Sequence, residues 1–109
     1  MLKVKLFVHE LELGCLTEID KGYVFAANKV DIDKAFKMYP IEMRRYELVK
    51  SGTVLYRDVP PVFDEFLGYT HRGDLMERAG IISADSDLER IYKLAGLDMM
   101  STIFTIKQG

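Results

Sequence analysis

Apolar and polar residues alternate along the first quarter of the chain, and this period of two predicts β-strands. In residues 2–8 two lysines share one face, and the other face is aliphatic: Leu2, Val4, Leu6 and Val8. A second alternating segment covers residues 11–17, and a shorter third segment covers 23–25. Tight turns at 9–10 and 20–22 would join the three segments, so the sequence predicts an antiparallel meander.

Cys15 falls in the second alternating segment. Because Leu11, Leu13 and Cys15 alternate with Glu12 and Gly14, we expect Cys15 to be a small core residue on the apolar face of that strand. It is the only cysteine, so no internal disulfide can form. A single cysteine fits a reducing compartment better than a secreted protein.

The middle of the chain gives weaker patterns. Residues 30–38 suit a short helix, with four apolar positions: Val30, Ile32, Ala35 and Phe36. Residues 40–43 read as extended, and 46–49 read as a strand that continues them. A turn at 51–52 precedes residues 53–56, which are short and β-prone.

The second half carries helical spacing with recognisable ends. One apolar stripe marks a helix over 59–67: Val59, Val62, Phe63, Phe66 and Leu67. Asp58 is placed to cap its start. Further helices are predicted over 73–79, which Gly80 ends, and over 86–95, where Ser86 and Glu89 form a capping box. Residues 101–106 predict a final strand that rejoins the sheet.

These elements predict an α+β fold in one domain over residues 1–109. We expect a small antiparallel sheet or partly closed barrel of about five strands, with three to four short helices mainly in the C-terminal half. At 12.5 kDa, with 49% hydrophobic and 29% charged residues, the chain should fold. No segment has the leader or membrane-span pattern, so the expected location is the cytoplasm.

Candidate chemistry is sparse. His71-Arg72-Gly73-Asp74 suggests the His-Arg-Asp loop of kinases, but a glycine is inserted and no Asp-Phe-Gly follows. The chain also lacks a glycine-rich phosphate loop. Asp85 and Asp87 suggest a cation site, although acidic residues at a helix start explain them more simply. We therefore expect no enzyme activity, no cofactor and no metal.

Charge and residue type favour a protein partner. A net charge of −2 and a pI near 5.7 argue against direct nucleic-acid binding, which needs a basic face. The predicted connection between two helices contains a tyrosine and an arginine, residue types that anchor many interfaces, or it is an ordinary turn. With the preceding helix it gives our candidate partner-binding residues: Phe63, Phe66, Tyr69, Thr70, His71 and Arg72.

Several segments together resemble one known family. Residues 59–67, Val-Pro-Pro-Val-Phe-Asp-Glu-Phe-Leu, are similar to the Leu-Pro-x-Phe-Phe-x-x-Leu-Leu helix in the first N-terminal subdomain of HipA-type serine/threonine kinases. The hairpin ending Gly-Cys-Leu-Thr at 14–17, Gly-Tyr-Val-Phe at 22–25 and Leu-Ala-Gly-Leu-Asp at 94–98 resemble further pieces of that subdomain, in the same order. The chain diverges at 67–70, where the family usually reads Leu-Pro-Glu-Gly.

A free-standing subdomain of this kind resembles the HipS proteins of tripartite HipBST toxin–antitoxin systems. The resemblance implies a bacterial antitoxin that binds and inhibits a HipA-like (HipT) kinase, with a helix-turn-helix HipB-type protein as a further member of the complex. Two alternatives stay open. The chain could complete or activate the kinase, or it could be an unrelated small ligand-binding α+β domain.

Overall fold

Five strands form one antiparallel sheet in the computed structural model, which describes residues 2–46, 50–60, 62–63, 73–96 and 104–108. The spatial order is β4-β3-β2-β1-β5. The bounds are β1 (Lys3–Val8), β2 (Leu11–Ile19), β3 (Gly22–Ala27), β4 (Thr53–Tyr56) and β5 (Phe104–Gln108). The predicted meander is confirmed, and the final strand rejoins the sheet beside β1, as expected.

Three α-helices and one short 3-10 helix have both of their ends in the described part of the chain. They are α1 (Lys29–Met38), α2 (Gly73–Ala79), α3 (Asp87–Ala95) and the 3-10 helix Glu42–Arg45. The α+β class with five strands is confirmed. The sheet is open, so the partly closed barrel is not formed. The helices are not clearly gathered in the C-terminal half, because α1, with 10 residues, precedes β4.

One face of the sheet, the inner face, carries the core. The alternate residues of β1 are fully buried, and they pair with Leu16 on β2 and Phe104 and Ile106 on β5. Helices α1 and α3 close the same cluster with four residues: Ile32, Ala35, Leu88 and Ile91. The period-two pattern therefore predicted the buried side of β1 correctly. Such a pattern arises when helices cover one face of an antiparallel sheet and the other face is left to solvent.

A β-bulge in β2 changes which residues enter this core. Leu6 pairs with Gly14 and Phe7 pairs with Glu12, so Leu13 is the extra residue of the bulge. Leu13 is nevertheless fully buried, as is Leu16 beyond it. A bulge adds one residue to one strand and shifts the alternation that follows.

That shift corrects the expectation for Cys15. Cys15 pairs with Lys5 on β1 and Ala26 on β3, and paired residues share a face. Its neighbours Gly14 and Leu16 lie on the inner face, so Cys15 lies on the opposite face and is half-buried. The prediction of a core cysteine was wrong because a strict alternation from Leu11 takes no account of the inserted residue.

Helix α1 supplies hydrogen bonds to the bulge. The backbone N–H of Asn28 donates to the carbonyl of Leu13 at 2.9 Å, and the N–H of Glu12 donates to Asp31 Oδ2 at 3.2 Å. Asn28 also caps α1 by accepting from the N–H of Asp31. Backbone groups that the bulge takes from the sheet are thus satisfied by the first turn of α1.

Residues 40–43 are not extended as predicted. Glu42–Arg45 form a 3-10 helix, with the N–H of Arg44 donating to the carbonyl of Ile41 at 3.3 Å. Met43 and Tyr46 are buried and lie three residues apart, which is the repeat of a 3-10 helix. A run of only four residues carries too little periodicity to separate this turn from a strand. The predicted strand over 46–49 lies mostly outside the described residues.

The helix ends in the second half follow the sequence signals. Ser86 accepts from the N–H of Glu89 at 3.2 Å, and α3 begins one residue later. Gly80 has a φ of 75° and ends α2, with the N–H of Ile81 donating to the carbonyl of Met76. This is a Schellman motif, for which a glycine is favoured at the left-handed position. The predicted helices 73–79 and 86–95 are therefore confirmed.

The predicted helix over 59–67 is described only in part. Val62 and Phe63 are helical, whereas Val59 and Pro60 precede the helical turn. Val59, Val62 and Phe63 are buried, as the apolar stripe predicted. Residues 64–67 lie outside the described residues.

Gly14→Ala should destabilise the fold by about 1–3 kcal/mol, the usual cost of overpacking a core. A Cβ at this position would collide with the ring of Phe25 and come within 2.6 Å of the Ala26 carbonyl oxygen. The free energy of unfolding from urea titration measures the effect. Gly73→Ala is the matched control, because a Cβ there meets no atom within 4 Å. Equal stability of the Gly14→Ala variant and the wild type would contradict the packing described for the bulge.

Candidate functional site

The face of the sheet opposite the core, the outer face, consists of exposed and half-buried side chains in the described part of the chain. The strand register places thirteen side chains on it, and none of them is buried: Lys3, Lys5, Phe7, Glu12, Cys15, Thr17, Ile19, Val24, Ala26, Thr53, Leu55, Thr105 and Lys107. Leu55 is 66% exposed. An antiparallel sheet often leaves one face to water, but such a face is then usually polar throughout.

The outer face is divided into a basic half and an uncharged half. On β1 and β5, Lys3, Lys5 and Lys107 make the first half basic. Lys5 Nζ lies 3.4 Å from Glu12 Oε1, and Lys107 Nζ lies 4.9 Å from the ring centre of Phe7. Three lysines face a single glutamate here, so this face is positive although the whole chain is −2.

The uncharged half lies on β2, β3 and β4. One row across the strands runs from Thr17 to Val24 to Leu55, and the next runs from Cys15 to Ala26 to Thr53. None of these six residues is acidic or basic, and Val24 and Leu55 are aliphatic. Contiguous apolar surface beside charged residues is typical of protein-binding sites.

Sequence reasoning missed this face. The sequence shows the lysines of β1 as the polar side of that strand. The row that joins Thr17, Val24 and Leu55 depends on the pairing of separate strands, which the sequence does not show. Cys15 was assigned to the opposite side.

Of the six residues predicted to bind a partner, the structure describes Phe63, which lies on the core side of the sheet rather than on the outer face. Phe63 is fully buried and packs edge-on against Phe25, with ring centres 6.5 Å apart. Its position supports the core beneath the sheet. The other five candidates, Phe66, Tyr69, Thr70, His71 and Arg72, lie outside the described residues.

More exposed apolar side chains flank α1. Val30 is 64% exposed at its first turn, Met38 is 55% exposed at its last residue, and Ile41 is 69% exposed just beyond. The C-terminal end of α1 is joined to the β1–β2 turn, because the Tyr39 hydroxyl donates to Glu10 Oε1 at 3.1 Å. Val30 is therefore exposed at one end of α1, and Met38 and Ile41 are exposed at the other.

A polar cleft of about 400 Å³ lies where β2 turns into β3. Its lining includes Glu18, Asp20, Tyr23, Arg57 and Ser86. Burial raises the pKa of the Tyr23 hydroxyl, and the negative charges of nearby Asp87, Glu18 and Asp58 raise it further. The cleft is open to solvent and acidic, without the apolar enclosure typical of small-molecule sites.

Asp85 is explained by an ion pair rather than by a cation site. Its Oδ2 accepts from Lys93 Nζ at 2.6 Å and from the N–H of Ile82 at 3.0 Å. Lys93 Nζ also donates to the carbonyl of Gly80 at 3.1 Å, so one ammonium joins the end of α2 to α3. Asp87 is exposed in the first turn of α3, where a negative charge favours the helix dipole.

Among the residues described, no three or more His, Cys, Asp and Glu side chains are grouped so as to hold a metal ion. His9 instead stacks on Tyr39, with ring centres 4.3 Å apart. In the same part of the chain, no helix has the length and apolar character needed to cross a membrane.

Comparison with known proteins gives no family for this chain. No protein-family model matches it, and a search of curated proteins finds no significant match.

The Asp85–Lys93 pair should make stability depend on acid pH. The hydrogen bond from Lys93, followed by that from Ile82, lowers the pKa of Asp85 from 3.8 to about 2. A carboxyl with a lowered pKa stabilises the fold above its unfolded pKa, and this contribution is lost as pH falls from 3.8 through about 2. We expect Asp85→Asn to be less stable than wild type at pH 7 and as stable as wild type at a pH of about 2. The midpoint of urea unfolding, measured as a function of pH, tests this.

Asp87→Asn is the control for the loss of one acidic side chain at the start of the same helix, because Asp87 is exposed and lies outside the Asp85–Lys93 pair; it should lower stability at pH 7 by less than Asp85→Asn does. Glu89 acts in the opposite direction, since its hydrogen bond with Asp85 raises its pKa above 4.5. That contribution is lost as pH rises, which separates it from the window of Asp85. An Asp85→Asn variant that keeps the wild-type slope between pH 3.8 and about 2 would contradict the assignment.

Proposed function

We propose that this chain is a non-catalytic binding subunit that docks onto a HipA-like serine/threonine kinase and inhibits it, as an antitoxin of the HipS kind. Its resemblance to the first N-terminal subdomain of such kinases, spread over most of the sequence, names the partner. The outer face of the sheet is the structural observation that supports a binding role. The proposal places the protein in the bacterial cytoplasm, with a HipB-type helix-turn-helix protein as a third member of the complex.

The physical argument starts from the two faces of the sheet. A subdomain that is normally fused to a kinase buries some of its surface against the next domain. In a protein of the HipS kind, where the subdomain is separate from the kinase, that surface is exposed and marks the place where the partner binds. Val24 and Leu55 on the outer face are of this kind, since aliphatic side chains on an uncovered sheet gain stability only when something covers them.

Charge adds selectivity to the same surface. The lysines on β1 and β5 would favour an acidic region of the kinase beside an apolar one. Association in trans has to offset the loss of translational and rotational freedom, so a small domain needs a well-packed contact. A flat face with an apolar half can supply that packing, and a basic half can fix its orientation.

The resemblance implies that binding of this chain lowers the activity of the kinase, and activation is the competing outcome. The test uses a HipA-like kinase that is encoded next to this chain and lacks its own first subdomain. Its phosphorylation activity, measured with and without this chain, distinguishes inhibition from activation. We expect co-purification of the two proteins, lower kinase activity in the complex and relief of kinase toxicity on co-expression. Failure of the two proteins to associate would eliminate the proposed function, and a rise in activity would replace antitoxin by activator.

Thr17→Glu tests the docking surface. Thr17 lies between Lys3 and Val24 on the outer face, so a glutamate there adds negative charge at the centre of the contact and faces Lys3 within the fold. We expect kinase affinity to fall about tenfold or more, which corresponds to about 1.4 kcal/mol, in titration calorimetry. Ser83→Glu adds the same charge at an exposed turn between α2 and α3 and should bind as wild type.

If Thr17→Glu binds the kinase as tightly as Ser83→Glu, the outer face is not the docking surface. Kinase binding by the wild-type chain would then still stand, with its surface elsewhere.

A further inference from the structure

β4 forms one edge of the sheet, and its outer side pairs with no residue in the described part of the chain. The N–H of Ala27 donates to the carbonyl of Gly52 at 2.9 Å, which makes those two residues a hydrogen-bonded pair. Hydrogen-bonded pairs alternate along an antiparallel ladder. Val54 and Tyr56 therefore point their backbone groups towards β3, and Thr53 and Leu55 point theirs away from the sheet.

The devices that usually protect an edge strand are missing from β4. Proteins place lysines, prolines or bulges on exposed edges to prevent pairing with other chains. The four residues of β4 are Thr-Val-Leu-Tyr, which are uncharged and β-prone. The opposite edge differs, since β5 carries the exposed Lys107 and packs against α3. The open edge is thus confined to β4.

We infer that the outer edge of β4 pairs antiparallel with β4 of a second copy of this chain, about a two-fold axis at Val54. The inference goes beyond kinase binding and does not depend on it. In this register Thr53 of each copy exchanges two backbone hydrogen bonds with Leu55 of the other, so both outward-directed residues are satisfied. A two-fold interface is self-complementary, which an uncharged strand allows without repulsion.

Charge complementarity selects this register. Lys50 and Asp58 are each four residues from Val54, on opposite sides. Both residues flank the four-residue strand, so a two-fold axis at Val54 brings Lys50 of one copy and Asp58 of the other to the same end of the pairing, and this holds at both ends. Both residues are exposed. Lys50 Nζ lies 4.7 Å from the ring centre of Phe36, a contact at the surface that leaves the ammonium accessible.

A pairing of four-residue strands buries little surface, so the dimer is weak and reversible. Sedimentation of the purified chain should show a monomer–dimer equilibrium at concentrations up to about 1 mM.

Leu55→Pro removes the outward N–H without breaking a bond to β3, because edge positions that face solvent tolerate proline. We expect it to raise the dissociation constant at least about tenfold, with an unchanged thermal transition. Leu55→Thr keeps the N–H and should still dimerise.

Cysteine cross-linking tests the register. In a Cys15→Ser background, Val54→Cys places two thiols at the axis, where paired Cα atoms lie about 4.5 Å apart and a disulfide fits. Leu55→Cys is the control, since its two copies are offset by two residues and lie beyond the roughly 7 Å limit for a disulfide. Asp58→Lys should weaken the dimer, and Lys50→Asp with Asp58→Lys should restore it.

A chain that stays monomeric at about 1 mM and gives no Val54→Cys cross-link would overturn the inference. So would amide exchange at Thr53 and Leu55 that slows only when the kinase is added, because the kinase would then occupy the edge. Failure of the charge exchange to restore the dimer would reject the axis at Val54.

Discussion

The bulge at Leu13 and Gly14 is the constraint on which the described fold depends. It directs Leu13 into the core, turns Cys15 to the outer face and leaves Gly14 in contact with the ring of Phe25. The backbone groups it exposes are taken up by the first turn of α1. The bulge thus fixes the sheet, α1 and the core relative to each other at one irregular point of a central strand. Bulges often have this role, because they change the direction in which the side chains of a strand point.

A consequence is that the two faces of the sheet have different roles. The inner face is closed by α1 and α3, and the outer face keeps aliphatic side chains next to lysines. The Asp85–Lys93 pair and the Schellman motif at Gly80 hold α2 and α3 together without using the outer face. A small domain can then present an apolar surface, because its stability comes from the opposite side.

Local signals predicted those parts of the fold that depend on neighbouring residues. The strands β1 and β2 follow from alternation, and β3 and β4 follow from short β-prone runs next to turns. The start of α3 at Ser86 follows from a capping hydroxyl, and the end of α2 at Gly80 follows from a glycine in the left-handed conformation. The 3-10 helix at Glu42–Arg45 was missed because four residues fit either period. For the candidate site, Phe63 was correctly placed on an apolar stripe, but the described residues of that stripe, Val59, Val62 and Phe63, pack into the core.

The sequence by itself determined the α+β class, the antiparallel meander and most helix limits, since hydrophobic period and end signals act over a few residues. It also carried the resemblance that suggests a kinase partner. Only the tertiary structure decided which face of β2 holds Cys15, which residues form the rows of the outer face and which edge of the sheet is open. Those features depend on register between strands and on an inserted residue, and register is set by packing across the sheet rather than by any one segment.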